Sequence, residues 1–393
     1  APSLWQSMRS CCAGRCGPHE HDSGTPVTTR RLLALNVGSS TLKGACYLLH
    51  AEGPGAQPRV VERSRAEIAV GADAQERLAT LLEILSIPAP GPDVVVHRIV
   101  HGGDLRNASE LDEDVLAKLD ALVPFAPLHQ PVALAFARAA RLRWPQARQG
   151  VAFDTDFHVT LAPWSQRLPI PEAWDALGVR RYGFHGLAFA SALRVVASQD
   201  AGILRSRAVF AHLGGGCSVC AVEDGRSRDT TMALTPLGGI PSPTRSGDLD
   251  PGALLYLLRH ERLDAQAIED GLSRTAGLAG IAGHGDMRVL LADPGPQAQL
   301  AVDLFAVRIA QSIAAMATGI GGLDHVVFSG GIGHRAPGLR ARIIARLGWL
   351  GLALAPDDND AGATRIDAAS GPAIWNVAID EERELAESAL AWL

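Results

Sequence analysis

From residue 31 onward, apolar positions fall into short runs that alternate with stretches of helical spacing. Residues 32–36, 42–49 and 59–63 read as successive strands, and residues 74–87 carry a helical stripe that stops at Pro88. The run 93–100, DVVVHRIV, is short and β-branched, so it predicts a buried strand. Residues 131–143 form a basic amphipathic helix ending before Pro145, and residues 150–153 a short strand ending at Asp154. The second half repeats the theme. A hairpin over 208–213 and 217–223 is followed by helices near 251–261 and 298–318. A strand at 325–329 then enters a glycine turn before a helix at 338–347. A helix over 380–393, with Asp380 as its N-cap and acids in its first turn, closes the chain. Such alternation predicts an α/β protein with ligands at the carboxyl ends of its strands.

Two stretches carry the same pattern. Residues 32–49 (LLALNVGSSTLKGACYLL) and 208–222 (AVFAHLGGGCSVCAV) each run apolar, then through a small-residue loop beside one polar residue, Asn36 or His212, then apolar again. Small side chains let backbone N–H groups approach a phosphate closely. One such unit is an ordinary glycine-turn hairpin. Two, a domain apart, point to related half-domains that each bring a tight hairpin to a polyanion.

Composition narrows the function. The net charge of −6 over 393 residues argues against nucleic acid or an anionic membrane as partner, so an anionic substrate needs local arginines. The most apolar stretch, 300–322, is interrupted by Asp303, Arg308 and Gln311 and reads as a buried helix rather than a membrane span. Cys217 and Cys220 are three apart on an expected strand, so their sulfurs point to opposite faces and form no redox or zinc pair. Cys46 reads as core, and the thiols together suggest the reducing cytoplasm. Residues 1–30 hold Cys11, Cys12, Cys16, His19 and His21 but no apolar periodicity; they read as a disordered extension rather than a metal site.

The candidate chemistry lies at strand ends and in glycine loops. Asn36, the loop from Gly38 and Lys43 can serve phosphate and a metal-bound water, although Lys43 fits a solvated strand position equally well. Arg98 lies inside an apolar strand, where a charge is costly unless paired. Its alternatives are an anionic ligand or an ion pair with Asp104 or Asp154. Arg245, in TPLGGIPSPTRSGDLDP, faces the same choice with Asp248 or Asp250. Asp154 in VAFDTDFH and His185 in RRYGFHG read individually as a cap and a core histidine; beside two arginines and two phosphate loops they read as one site. The turn at 330–336 spells GxGxxA, but too little chain follows it for a dinucleotide sheet.

The motifs NVGSSTLK, HRIVHGGD, PLHQP, FDTDFH, RRYGFHG, HLGGG, TPLGG…TRSGDLDP, GHGDMR and FSGGIG, in this order and spacing, resemble the acetokinase family of the actin and hexokinase superfamily across residues 31–393. The resemblance implies two duplicated RNase H-like (actin-like ATPase) domains, 31–158 with 380–393 and 159–379, and an interdomain nucleotide cleft. It implies a magnesium-dependent, homodimeric kinase that phosphorylates acetate or another short-chain carboxylate from ATP. Asn36 and Glu381 would serve the metal, with Glu382 a neighbouring alternative. Lys43 and the loop His212, Leu213, Gly214, Gly215 and Gly216 would hold the phosphates. Asp286, Met287 and Arg288, with Gly331, Ile332, Gly333, His334 and Arg335, would hold the rest of ATP. Arg98, Arg245, His185 and Asp154 would surround the reacting groups, and Val100, Leu128, Phe184 and Pro236 would wall the acyl pocket. The chain departs from relatives at Gly215, where many carry Asn, and at His334, where Glu is usual. It departs again at Asp156 and Gly238, and in NVAIDEERE, which lacks the usual proline-threonine. Propionate or butyrate as acceptor, and a non-catalytic nucleotide sensor on the same fold, are the alternative readings.

Overall fold

The computed structural model describes residues 28–38, 41–51 and 58–393. The cysteines and histidines of residues 1–27 lie outside the described residues. The chain falls into two compact units, one running to Asp156 and resuming at Asp380–Leu393, the other Phe157–Ile379.

In the first unit, β1 (Thr28–Val37), β2 (Thr41–Ala51) and β3 (Arg59–Ala69) form an antiparallel meander. β4 (Val94–Ile99) pairs parallel to β1, and β6 (Arg148–Phe153) pairs parallel to β4. The two-residue β5 (Ser109–Glu110) lies at the edge, giving the order β3-β2-β1-β4-β6-β5. Helices Ala74–Leu85, Glu113–Ala121 and Gln130–Arg143 supply apolar faces to a core with Leu33, Leu35, Val95, Ile99 and Phe153. Gly150 is required where the C-terminal segment arrives, because a Cβ there would run into the Trp392 ring.

The second unit repeats this order. β7 (Arg207–Leu213), β8 (Cys217–Glu223) and β9 (Arg226–Thr230) are antiparallel, and β10 (His325–Ser329) and β11 (Ala373–Asn376) add in parallel to give β11-β10-β7-β8-β9. Each unit is thus three antiparallel strands followed by two parallel ones on the far side of the first, the RNase H-like order. The protein has a duplicated actin-like ATPase fold. The hairpin registers match as well: Asn36 pairs with Lys43, and His212 with Ser218, each one position before the turn.

The helix Pro296–Gly319 is long and apolar enough to cross a membrane by length and composition. Here it is the core helix of the second unit, with Val302, Phe305, Ile309 and Ile313 packed in the interior. Cys217 and Cys220 join different core clusters on opposite faces of β8, as their spacing predicts, and burial raises both thiol pKa values, that of Cys217 to about 12. One expectation is corrected. Residues 330–335 are a one-and-a-half-turn helix, Gly330–Arg335, not a glycine turn. Gly330 enters it at φ 81°, and a Cβ there would strike the Leu213 carbonyl, so the position requires glycine on both counts.

Candidate active site

The strands β1, β4 and β6 are neighbours and run parallel, so their carboxyl ends lie together, and each has a polar residue one position from its end: Asn36, Arg98 and Asp154. Arg98, the penultimate residue of β4, forms a two-pronged pair with Asp154, which follows β6: Nε donates to Oδ1 at 2.8 Å and Nη2 to Oδ2 at 2.6 Å. Arg98 Nη1 donates to Asn36 Oδ1 at 2.9 Å. Burial works against the Arg98 charge, but Asp154, Glu381 and Glu382 outweigh it and drive its pKa upward. Burial lifts the Asp154 pKa, and the Arg98 fork opposes that lift. Of the ion pairs considered for Arg98, the structure forms the one with Asp154.

Asn36 faces the other way with its amide nitrogen. Nδ2 donates to Glu381 Oε2 at 2.9 Å and to Glu382 Oε1 at 2.8 Å. Both glutamates begin the helix Glu381–Ser388, whose N-cap is Asp380 as expected. Glu382 is the more buried of the two, and burial raises its pKa. Arg65 on β3 binds Glu62, Asp380 and Glu382 and anchors this acidic corner. The carboxylates of Glu381 and Glu382 converge on the Asn36 amide nitrogen, and such hard donors suit a magnesium ion, which takes few protein ligands beside water and phosphate; the Asn36 amide oxygen is turned to Arg98 instead. Lys43 lies across from Glu67 at 3.9 Å, half-exposed.

Val100 is buried at the end of β4, and Leu128 is half-buried in the segment before helix Gln130–Arg143. Gln130 ties the two stretches together: its Oε1 accepts from the His101 N–H and its Nε2 donates to the His101 carbonyl. Asp156 accepts the Phe153 N–H with Oδ2 at 3.1 Å, and burial pushes its pKa up to about 7.

In the second unit the equivalent strand ends carry His212, Ser329 and Asn376. His212 Nδ1 is 3.3 Å from Ser329 Oγ, and the His212 ring lies 4.7 Å from that of His185. His185 opens helix Gly186–Gln199 from a left-handed backbone, φ 63°, with Nδ1 at 2.9 Å from Ser218 Oγ. The loop Gly214–Gly216 turns beside them. A Cβ on Gly216 would stand 2.9 Å from His185 Nε2 and 3.3 Å from Arg245 Nη1. The side-chain-free loop therefore presents its backbone next to an imidazole and a guanidinium. Arg245 donates to the Pro236 carbonyl at 3.3 Å, and burial lowers its pKa. Asp248 instead accepts the Gly239 N–H, and Asp250 caps helix Pro251–His260. Phe184 is buried and Pro236 half-buried.

The remaining second-unit residues divide by burial. Leu213 and Met287 are core side chains, and Gly333 is buried. Asp286 caps helix Met287–Ala292 and pairs with Arg288, whose side chain is 88% exposed. Gly331 and Arg335 are exposed, while Ile332 packs on the core. His334 Nδ1 is 2.9 Å from Asn376 Oδ1. At Gly215 a side chain would meet nothing within 4 Å.

Sequence reasoning passed over Arg340. It is fully buried, donates to the carbonyls of Gly333, His334 and Asn359, and so ends the helix Gly330–Arg335. The available signal was the pair Arg340 and Arg342 in the mixed run Leu339–Ile344, which does not tell the buried arginine from the other.

The sequence matches the model of the Acetokinase family over residues 60–386. The acetate kinase of Rhodopseudomonas palustris (strain TIE-1) is 38% identical over 386 residues, covering 90% of this chain and 96% of that protein. The acetate kinase of Ectopseudomonas mendocina (strain ymp) is 38% identical over 395 residues, covering 93% of this chain and all of that one. Among solved structures, a propionate kinase from Francisella tularensis subsp. tularensis SCHU S4 aligns with a TM-score of 0.81 at 31% identity, over 93% of this chain and 100% of that chain. The Porphyromonas gingivalis acetate kinase aligns with a TM-score of 0.78 at 27% identity, over 92% and 99%.

Proposed function

The chain belongs to the acetokinase family, and we propose that it catalyses acetate + ATP ⇌ acetyl phosphate + ADP by direct in-line phosphoryl transfer. The observation that carries this reading is the bare loop Gly214–Gly216, set against His185 Nε2 and the Arg245 guanidinium. A phosphoryl group in flight spreads charge over three oxygens, and positioned donors of this kind stabilise it.

The nucleophile needs no base, because a carboxylic acid with a pKa of about 4–5 is already ionised at neutral pH. Asp154 fits a positioning role: both of its oxygens are taken by Arg98, which it holds at the end of β4. Arg98 then offsets the repulsion between acetate and the phosphoryl group. Asn36, Glu381 and Glu382 would hold magnesium, which when bound neutralises phosphate charge. ATP would contact Lys43, the loop from His212 to Gly216, the Asp286–Arg288 segment and the helix from Gly331 to Arg335. Val100, Leu128, Phe184 and Pro236 would contact the methyl group.

The Francisella propionate kinase similarity favours propionate as a second reading. One methylene in an apolar pocket is worth only about 1–3 kcal/mol, or roughly 10–200-fold. Purified protein should form acyl phosphate, trapped as the hydroxamate, with the highest kcat/KM on acetate among formate, acetate, propionate and butyrate. A maximum on propionate selects the second reading, and no acyl phosphate from any of them rejects both.

We assign the partner of the exposed apolar face of helix Pro251–His260 to a second copy of this chain. Helix Pro251–His260 has no buried residue, and Tyr256 is 54% exposed beside Leu255, Leu258 and Leu263. Exposed apolar patches of this kind mark association surfaces. The native protein should elute as a dimer in light-scattering chromatography, and Leu255→Glu with Tyr256→Glu should elute as a monomer. A monomeric wild type removes the assignment. The described cysteines, Cys46, Cys217 and Cys220, are free thiols, which fits a cytoplasmic enzyme.

A further inference from the structure

His185 holds an uncommon backbone conformation for a residue with a side chain. Its φ of 63° lies in the left-handed region, which is costly for a residue with a side chain and persists only where the surroundings impose it. The residues just before it show what imposes it. Gly183, at φ 81°, is pressed against the imidazole of His158, so that a Cβ would stand 2.6 Å from that ring and 2.7 Å from Thr230. His158 Nε2 then lies 3.0 Å from the carbonyl of Phe184, the residue that precedes His185.

The proton positions on His158 follow from its partners. A carbonyl only accepts, so Nε2 carries the hydrogen. Burial lowers the His158 pKa to about 4, so the ring is neutral and Nδ1 is an acceptor. Ser227 Oγ donates to it at 2.8 Å. With that hydroxyl hydrogen spent, Ser227 Oγ is left as an acceptor toward the Cys220 thiol at 3.4 Å, whose one hydrogen also reaches the Ala221 carbonyl at 3.5 Å. A directed chain thus runs from Ser227 through His158 to the Phe184 carbonyl. The ring is also boxed edge-on by Phe157 and Phe189, and Phe189 makes a second edge contact with His212.

We propose that His158 is a positioning residue for His185: by donating Nε2–H to the Phe184 carbonyl it holds the left-handed turn that aims the His185 ring at Ser218, Gly216 and Arg245. Buried among Phe157, Phe189 and Ser227, His158 does not itself touch the loop Gly214–Gly216. Its role rests on the reading of His185 as part of the phosphoryl-transfer site.

Glutamine and asparagine separate the two ring nitrogens. The Gln amide reaches the Nε2 position and can donate to Phe184; the Asn amide reaches only the Nδ1 position. His158→Asn should lower kcat about 10–100-fold, the cost of misplacing a reacting group by a fraction of an ångström to an ångström, with both KM values within about threefold. His158→Gln should recover kcat to within about fivefold of wild type. Ser227→Ala keeps the ring but frees its tautomer, and should show a smaller kcat loss in the same direction. Without turnover, the His185 ring resonance in a histidine-labelled NMR spectrum should move in His158→Asn and stay in place in His158→Gln. Equal kcat in the Asn and Gln variants, losses that simply follow Tm in both, or an unmoved His185 resonance in His158→Asn overturns the proposal. If His185→Ala keeps full kcat, the placement of His185 in the site fails instead, and the resonance still decides whether His158 holds it.

Discussion

Arg98→Ala is expected to lose both activity and stability, and the stability loss should grow as the pH rises. The activity term comes from removing a fixed positive donor from a site where two anions meet, which typically costs about 10²–10³-fold in kcat/KM. The stability term comes from Asp154. Its carboxylate is buried, with both oxygens accepting from Arg98. Removing one partner of a buried pair costs about 3–5 kcal/mol because the other charge is left without compensation. Asp154 can escape by taking a proton, since burial already lifts its pKa and Arg98 opposes that lift. In the variant the folded state then binds this proton more tightly than the unfolded chain does, so stability is retained at low pH and lost as pH rises through the lifted pKa. Denaturant unfolding from about pH 5 to pH 8 should show the variant falling further below wild type at the alkaline end. A gap that is constant or narrows with pH would show that Asp154 is not the group left stranded. Asp154→Asn complements the test. It should cost activity through Arg98 geometry, with a defect of similar size across neutral pH; a basic limb of the wild-type pH–rate profile that vanishes in this variant would reassign Asp154 as a base.

The α/β class, the strand-end location of polar residues and the paired hairpins were legible because alternating apolar runs and small-residue loops are local signals. What was missed is non-local or all-buried. Helix Gly186–Gln199 has no polar stripe to set a period, because most of its residues are buried. β9 reads RSRDT and is a strand only through its pairing with β8. The helix Gly330–Arg335 forms against the poor helix propensity of its three glycines, of which only Gly330 approaches Leu213 too closely for a side chain. In the site, Asn36, Arg98 and Asp154 could be singled out as polar residues at the ends of apolar runs. Arg65, Gln130 and Arg340 act across chain separations or through backbone carbonyls, and a pattern read along the chain does not register either.

Arg245→Ala should match Arg98→Ala in its activity loss, about 10²–10³-fold in kcat/KM, and differ from it in stability. The sequence offers the two arginines as equivalents. The structure separates them by what surrounds each charge. Arg98 is held charged by carboxylates, whereas burial works against the Arg245 charge and lowers its pKa. Its guanidinium reaches the Pro236 carbonyl and stands beside Gly216, where an anionic phosphoryl group would offset the cost of its burial. Deleting a cation that burial already disfavours removes that penalty, so the Tm of Arg245→Ala should stay within a few degrees of wild type; a 1 kcal/mol change moves a domain of this size by only about 2–4 °C. Conversely, the stabilisation that nucleotide with carboxylate gives the wild type in a thermal shift should shrink in the variant, because binding no longer relieves the buried charge. Arg245→Lys should recover little, since an ammonium lacks the planar fork that fits two phosphoryl oxygens at once. The measurements are steady-state kinetics and melting curves with and without substrates, on all three proteins. Near-wild-type kcat/KM in Arg245→Ala, or full rescue by lysine, would remove this guanidinium from the transfer site and leave the loop Gly214–Gly216 with His185 as its only side-chain donor from this pair.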